Sequence, residues 1–160
     1  MSERPESSRV HVLLCGERLR RDDGAAVLAA ASLDEDTLAL AAVVDVGQLS
    51  VEALLDVPDG EAVIVADAAV GVSAGTVVIV SLTEISRRGP GATPASSHSL
   101  QPDQVLALVQ ELRGSPLVGV FVGIGGAEFG FGEELSPAVA AGLPAFTSAL
   151  AQEIHRLAGR

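Results

Sequence analysis

With 160 residues, 48% of them apolar, the chain has the size and hydrophobic content of one ordinary domain. A formal charge of −11 disfavours non-specific binding to nucleic acid or anionic lipid, because the phosphate-dependent term is repulsive. No apolar run approaches the roughly 20 residues needed to span a bilayer. Four Phe and no Trp or Tyr leave the core to Val, Leu, Ile and Ala, a composition that suits buried parallel strands covered by Ala/Leu helices. The single Cys15 cannot form an internal disulfide, and Met1 to Ser8 is polar with mixed charge and lacks the apolar stretch of a signal peptide. The expectation is a cytoplasmic protein with no nucleic-acid or membrane partner.

In chain order, Val10 to Leu14 reads as a first strand, followed by the turn Cys15-Gly16-Glu17 and a helix from about Asp22 to Leu33. Asp22 and Asp23 fall at the start of that helix, where carboxylates cap amides and complement the dipole. Arg18, Arg20 and Arg21, the one basic cluster, sit just before them and read most simply as a solvated turn with local ion pairs. Leu38 to Asp45 reads as a second strand and Ser50 to Leu55 as a short helix. Ala62 to Ala66 is a third strand that delivers Asp67 at its end. Gly75 to Leu82 is a fourth, and the connection Ala68 to Ala74 is too short for a helical crossover, so this strand is expected to run antiparallel at one edge.

Ser86 to Ser97 is rich in Gly, Pro, Ser and Arg and reads as an exposed loop of about a dozen residues, long enough to suspect function. His98 closes it, before a helix from about Pro102 to Leu112. Leu117 to Ile124 is a fifth, apolar strand and Gly125 to Glu134 a second glycine-rich loop. Ser136-Pro137 then opens a final helix to about Leu157. The predicted architecture is a three-layer α/β/α sandwich in one domain, residues 1–160, with a mostly parallel five-stranded sheet and one antiparallel edge strand.

In such a sheet the carboxylates fall at strand exits on one edge, where open α/β folds place ligands. Asp22-Asp23, Asp67 and His98 together offer two carboxylates and an imidazole, a set that zinc, nickel or another first-row ion accepts. Taken singly each has a plainer reading: Asp22-Asp23 and Asp67 as caps, His98 as a loop histidine bonded to a carbonyl. No nucleophile elbow, H-E-x-x-H or Walker loop is present, and Leu14-Cys15-Gly16-Glu17 has too few glycines for a dinucleotide fingerprint.

With these residues placed, the chain resembles the nickel-iron hydrogenase maturation endopeptidases. Gly16-Glu17-Arg18-Leu19-Arg20-Arg21-Asp22-Asp23-Gly24 is similar to the family's opening G-x-G-N-x-L-x-x-D-D/E-G motif, and Val44-Asp45-Val46-Gly47 to its D-G-G/G-T turn. Ile64-Val65-Ala66-Asp67-Ala68 and Ala74-Gly75-Thr76 resemble its D-A strand end and the Gly-Thr step that follows. Ser97-His98-Ser99-Leu100 resembles its S-H element, and Gly123-Ile124 with Glu128, then Leu135-Ser136-Pro137-Ala138-Val139, its last two motifs. The departures are Leu14 for the first Gly, Glu17 for Asn, and Gly125-Gly126 for Gln-Pro.

The resemblance implies an endopeptidase that removes the C-terminal peptide of a nickel-iron hydrogenase large-subunit precursor after nickel insertion. It also implies a site of Asp23, Asp67 and His98, both catalytic and metal-binding, engaging nickel carried by that substrate. Zinc or another divalent ion is the expected occupant in isolation. Asp45 is expected to support the site or cap a helix. The altered Leu14 to Glu17 turn leaves an alternative open, a non-catalytic chaperone that senses the nickel site without cutting.

Overall fold

Alternation along the strands assigns two buried faces to one sheet, because successive side chains point to opposite sides. The computed structural model describes residues 9–88, 95–96 and 102–160. Strand β1 (Val10–Cys15) sends Val10, Val12 and Leu14 to one face and Leu13 and Cys15 to the other. Strand β3 (Ala62–Val70) continues the pattern, with Ala62, Ile64 and Ala66 on the first face and Val63 and Val65 on the second.

Helices α1 (Ala25–Ala31) and α6 (Pro137–Ala158) cover the first face through Ala25, Ala26, Ala29, Phe146, Leu150 and Ile154. The second face is covered by α3 (Val51–Leu55), α4 (Leu82–Arg88) and α5 (Pro102–Arg113), which bring Leu54, Leu82, Ile85, Leu106 and Val109 against it. The result is the expected α/β/α sandwich. Strands β2 (Ala41–Gly47), β4 (Val77–Ser81) and β6 (Val118–Gly125) complete the order β2-β1-β3-β6-β4, with only β4 antiparallel, at the edge. A two-residue strand β5 (Ala95–Ser96), not foreseen from the sequence, pairs antiparallel with Ala69 and Val70 of β3.

Several boundaries differ from the sequence reading for identifiable reasons. Asp67 does not close its strand. β3 runs on to Val70, and what stops before Asp67 is the pairing with β1, whose last partner on β3 is Ala66. β4 is antiparallel as expected but pairs with β6, which lies between it and β3. The segment taken as the start of a loop at Ser86 is still helical to Arg88, because Leu82 and Ile85, three apart, bury against α5. A short helix α2 (Glu35–Leu38) was also missed. Asp34 caps it by accepting the Thr37 amide at 2.7 Å, and the buried Thr37 hydroxyl meets His155 Nε2 of α6 at 3.0 Å.

The crossovers determine where a ligand can approach. From β1 the chain crosses by α1 to β2 on one side, and then returns by α3 to β3 on the other side of β1. The strand order therefore switches direction between β1 and β3, and the crevice beyond their C-terminal ends is the favoured site in open α/β sheets.

β6 approaches β3 unusually closely at one point. Gly119 has φ +152°, and a Cβ there would sit 1.7 Å from the Val63 carbonyl oxygen. Both the backbone conformation and the spacing demand glycine. Gly119→Ala is expected to cost about 3 kcal/mol or more, among the larger single-site effects, read as a fall in the urea midpoint; an unchanged midpoint would show that the strands can separate without loss.

Candidate functional site

The turn after β1 brings two adjacent aspartates to the crevice and gives them different work. Residues Arg21–Gly24 form a single 3₁₀ turn before α1, and the carboxylates of Asp22 and Asp23 are both buried. Gly16, with φ +113°, lets this turn fold back onto the strand exit. A Cβ at that position would lie 1.8 Å from the Asp23 carbonyl oxygen.

Asp22 faces the second glycine-rich loop. Its Oδ2 accepts the amides of Ala127 (2.8 Å) and Glu128 (2.9 Å) and the Ser136 hydroxyl (2.8 Å), while Oδ1 accepts the Ser136 amide at 2.7 Å. Burial would raise this carboxyl, but the amides of Ser136, Ala127 and Glu128 and the Ser136 hydroxyl outweigh it and hold the group below its ordinary value. Asp22 thus acts as a clamp between loops. Ser136 sits where the sequence predicts the cap of the last helix, yet its hydroxyl bonds Asp22 and makes no cap bond.

Asp23 remains at the crevice, where its Oδ2 accepts the Glu17 amide at 2.9 Å. Asp67 continues the series Val63, Val65 on the face it shares with Cys15, is buried, and accepts the Ala68 amide at 2.8 Å through Oδ1. Asp45, near the end of β2, accepts the Gly47 amide at 3.1 Å and so shapes its own turn, not a helix. Gly47 in turn accepts the Gly16 amide at 2.6 Å, which ties the ends of β1 and β2 together.

Cys15 reports how these acids are grouped. Burial pushes its thiol well above the ordinary range, and the Asp67, Asp23 and Asp45 carboxylates around it push it further. A thiol in that setting is inert as a nucleophile. The carboxylates of Asp23 and Asp67 thus both lie near the Cys15 thiol, whereas that of Asp22 is bonded to the far loop. His98 lies outside the described residues. Among the described residues no three His, Cys, Asp or Glu side chains assemble a metal-binding set. Carboxylates are ligand types for hard and borderline cations and can act as general bases.

Sequence reasoning missed Arg21, which adopts a left-handed backbone at φ +53°. Such a conformation costs a non-glycine residue about 1–2 kcal/mol. It is held by the Arg21 amide donating to the Gly132 carbonyl (2.8 Å), by Nε donating to the Glu134 carbonyl (3.1 Å) and by an ion pair with Glu128 at 2.5 Å. Nothing in the local sequence announces it, since the partners lie more than 100 residues away.

A family model described as HycI, hydrogenase maturation protease, matches residues 28–153. Among solved structures, the NiFe hydrogenase maturation protease HybD from Thermococcus kodakarensis is 28% identical with a TM-score of 0.71, over 90% of this chain and 97% of that one. The hydrogenase maturating endopeptidase HybD from E. coli is 20% identical with a TM-score of 0.69, over 92% and 93% of the two chains. An endopeptidase from Escherichia coli solved in solution is 22% identical with a TM-score of 0.72, again over 92% and 93%. The last two likenesses concern the fold alone. No curated protein matches the chain by sequence.

Asp22→Asn would set an amide NH2 against N–H donors, and a loss of about 2–4 kcal/mol is expected from orphaned buried groups. Because the folded carboxyl lies below its ordinary value, its stabilisation is complete above the unfolded pKa of about 3.9 and disappears as pH falls through the folded one. Urea midpoints of wild type and variant should therefore differ at pH 7 and converge in acid. A gap that persists unchanged at low pH would exclude the charge as its source. Cys15 should resist iodoacetamide at pH 7 in the native protein and react once urea unfolds it; rapid native alkylation would contradict its burial.

Proposed function

The chain belongs to the hydrogenase maturation protease family, and from that premise we propose that it removes the C-terminal peptide of a nickel-iron hydrogenase large-subunit precursor in the cytoplasm. The observation that carries the site is the grouping of Asp23 and Asp67 at the switch between β1 and β3, on the chain's buried Cys15. A second observation supports His98 as their companion. Ser96, two positions before it in sequence, pairs with Ala69, two positions after Asp67.

In this reading nickel is part of the substrate. Asp23, Asp67 and His98 engage the ion already bound by the precursor, so that only a metallated large subunit presents its tail at the sheet edge. The scissile peptide is then held beside the same acids, one of which takes the proton of an attacking water as general base. Water is favoured over a protein nucleophile because the chain's single thiol is buried with its thiolate disfavoured.

The departures Leu14 and Glu17 favour a second reading, a docking protein that senses the nickel without cutting. The structure of that turn bears on the choice. Glu17 contributes its backbone amide to Asp23, a bond any residue but proline could make. The substitution of Glu for Asn thus leaves the acid's anchorage in place.

Incubating the protein with nickel-loaded precursor and weighing the large subunit separates the two readings, since release of a C-terminal peptide excludes the sensor. His98→Ala and Asp67→Asn are each expected to lower the processing rate by at least about 100-fold, the scale of a lost acid-base contribution. Processing at the wild-type rate by His98→Ala would remove that residue from the site.

A further inference from the structure

The two edges of the sheet are finished differently. β2, at one end, carries the exposed Asp45, and its pairing with β1 jumps from Asp45 to Gly47, leaving Val46 with no opposite residue. A charge and a bulge are devices that keep an edge strand from adding to another sheet. β4, at the other end, has neither along its length. The run Thr76-Val77-Val78-Ile79-Val80-Ser81 holds no charge and no proline, and five of its six residues are β-branched, the types best suited to pairing. Ile79, in the middle, is 47% exposed.

The backbone shows which groups this edge leaves over. Just before β4, Gly75 (φ +80°) forms a bulge: its amide donates to the Gly125 carbonyl at 2.8 Å, while the Gly125 amide donates to the Thr76 carbonyl at 2.9 Å. From that pair the antiparallel ladder alternates, so Val78, opposite Gly123, and Val80, opposite Phe121, are the residues that exchange bonds with β6. Val77 and Ile79 turn their amides and carbonyls outward, and Ser81 turns its amide outward. Across that edge they meet no other strand among the described residues. Such a row of donors and acceptors is met most fully by another strand.

β4 is its own complement. Laid antiparallel against a copy about Ile79, it sets Ile79 opposite the partner's Ile79, with bonds in both directions, and Val77 and Ser81 opposite the partner's Ser81 and Val77. No other register pairs all three outward residues within the strand. Charge also favours a copy here. A molecule of net charge −11 meets its like with least repulsion through an uncharged span, and no charged residue falls between Asp67 and Glu84. Glu84, Arg87 and Arg88 follow on α4, after the strand has ended. We propose that two copies of this chain join through Val77 to Ser81 of β4, about a two-fold axis at Ile79, into one continuous sheet. The contact is isologous, as in most soluble dimers. Because the axis reverses strand direction, the crevices beyond β1 and β3 open at opposite rims, with β6 between each and the seam. Each copy thus keeps its own access to substrate, whatever the reaction.

Sedimentation velocity of the full chain, with hydrogen exchange read at single amides, tests this. The expected result is a dimer that dissociates on dilution. The amides of Val77, Ile79 and Ser81 exchange faster as it dissociates, while those of Val78 and Val80 stay protected by β6. Ile79→Lys sets like charges opposite each other on the axis and is expected to raise the dissociation constant at least about 10-fold, with Ile79→Val retaining the dimer. The thermal midpoint of the dilute Ile79→Lys monomer should match that of dilute wild type, since the side chain is half-exposed. A wild-type chain that stays monomeric up to its solubility limit overturns the inference. So does a dimer whose dissociation constant ignores Ile79→Lys, or whose outward amides exchange alike in dimer and monomer. Protection of those amides that arises only when precursor is added assigns the edge to the substrate and overturns it as well.

Discussion

The Asp22 carboxylate is the interaction on which this rim of the sheet depends. Four hydrogen bonds from three residues more than 100 positions away converge on its two oxygens. They join the turn after β1 to the loop after β6 and to the start of α6, and so bind the two ends of the chain's sheet path into one rim. Charge-assisted bonds in a dry setting are the strong ones. They also account for the left-handed Arg21, whose strain is borne by contacts to the same loop.

A division of labour follows within a single dipeptide. Asp22 is spent on architecture and points into the loop, which frees its neighbour Asp23 to remain at the crevice with Asp67. The central strands complete the arrangement: β1 stops pairing one residue short of Asp67 while β6 pairs past it, so the buried acid stays in the sheet just where the pairing of β3 with β1 has ended.

Much of this was legible in the sequence because burial leaves a simple mark. Apolar runs such as Ala62 to Ala66 gave the strands, the short link before Thr76 gave the antiparallel edge, and an acid directly after an apolar run pointed to the crevice. Where the reading went astray, the deciding contacts were distant. Helix α4 hid in a segment whose Ser and Arg residues resemble a loop, since only packing on α5 shows that Leu82 and Ile85 form a stripe. Asp22 and Asp23 could not be told apart because they share every local signal and differ only in what the far loop offers them. Ser136 was located correctly and given the wrong bond for the same reason. His98 falls outside the described residues, and its place in the site rests on the resemblance and on the return of the chain beside β3.

The parallel bridge of Arg20 with Gly132, beside the Arg21 bond to the same residue, has a bearing on how such a molecule can diverge over generations. Two stretches locked residue against residue cannot gain or lose a position without misaligning every bond between them, so inheritance has to preserve their lengths even while side chains drift. Variation in length is left to turns with no such counterpart, such as the one at Pro58 to Gly60, where a glycine at φ +84° has nothing within 4 Å of its would-be Cβ. The clamp thereby acts as a ruler on the lineage as well as on the fold.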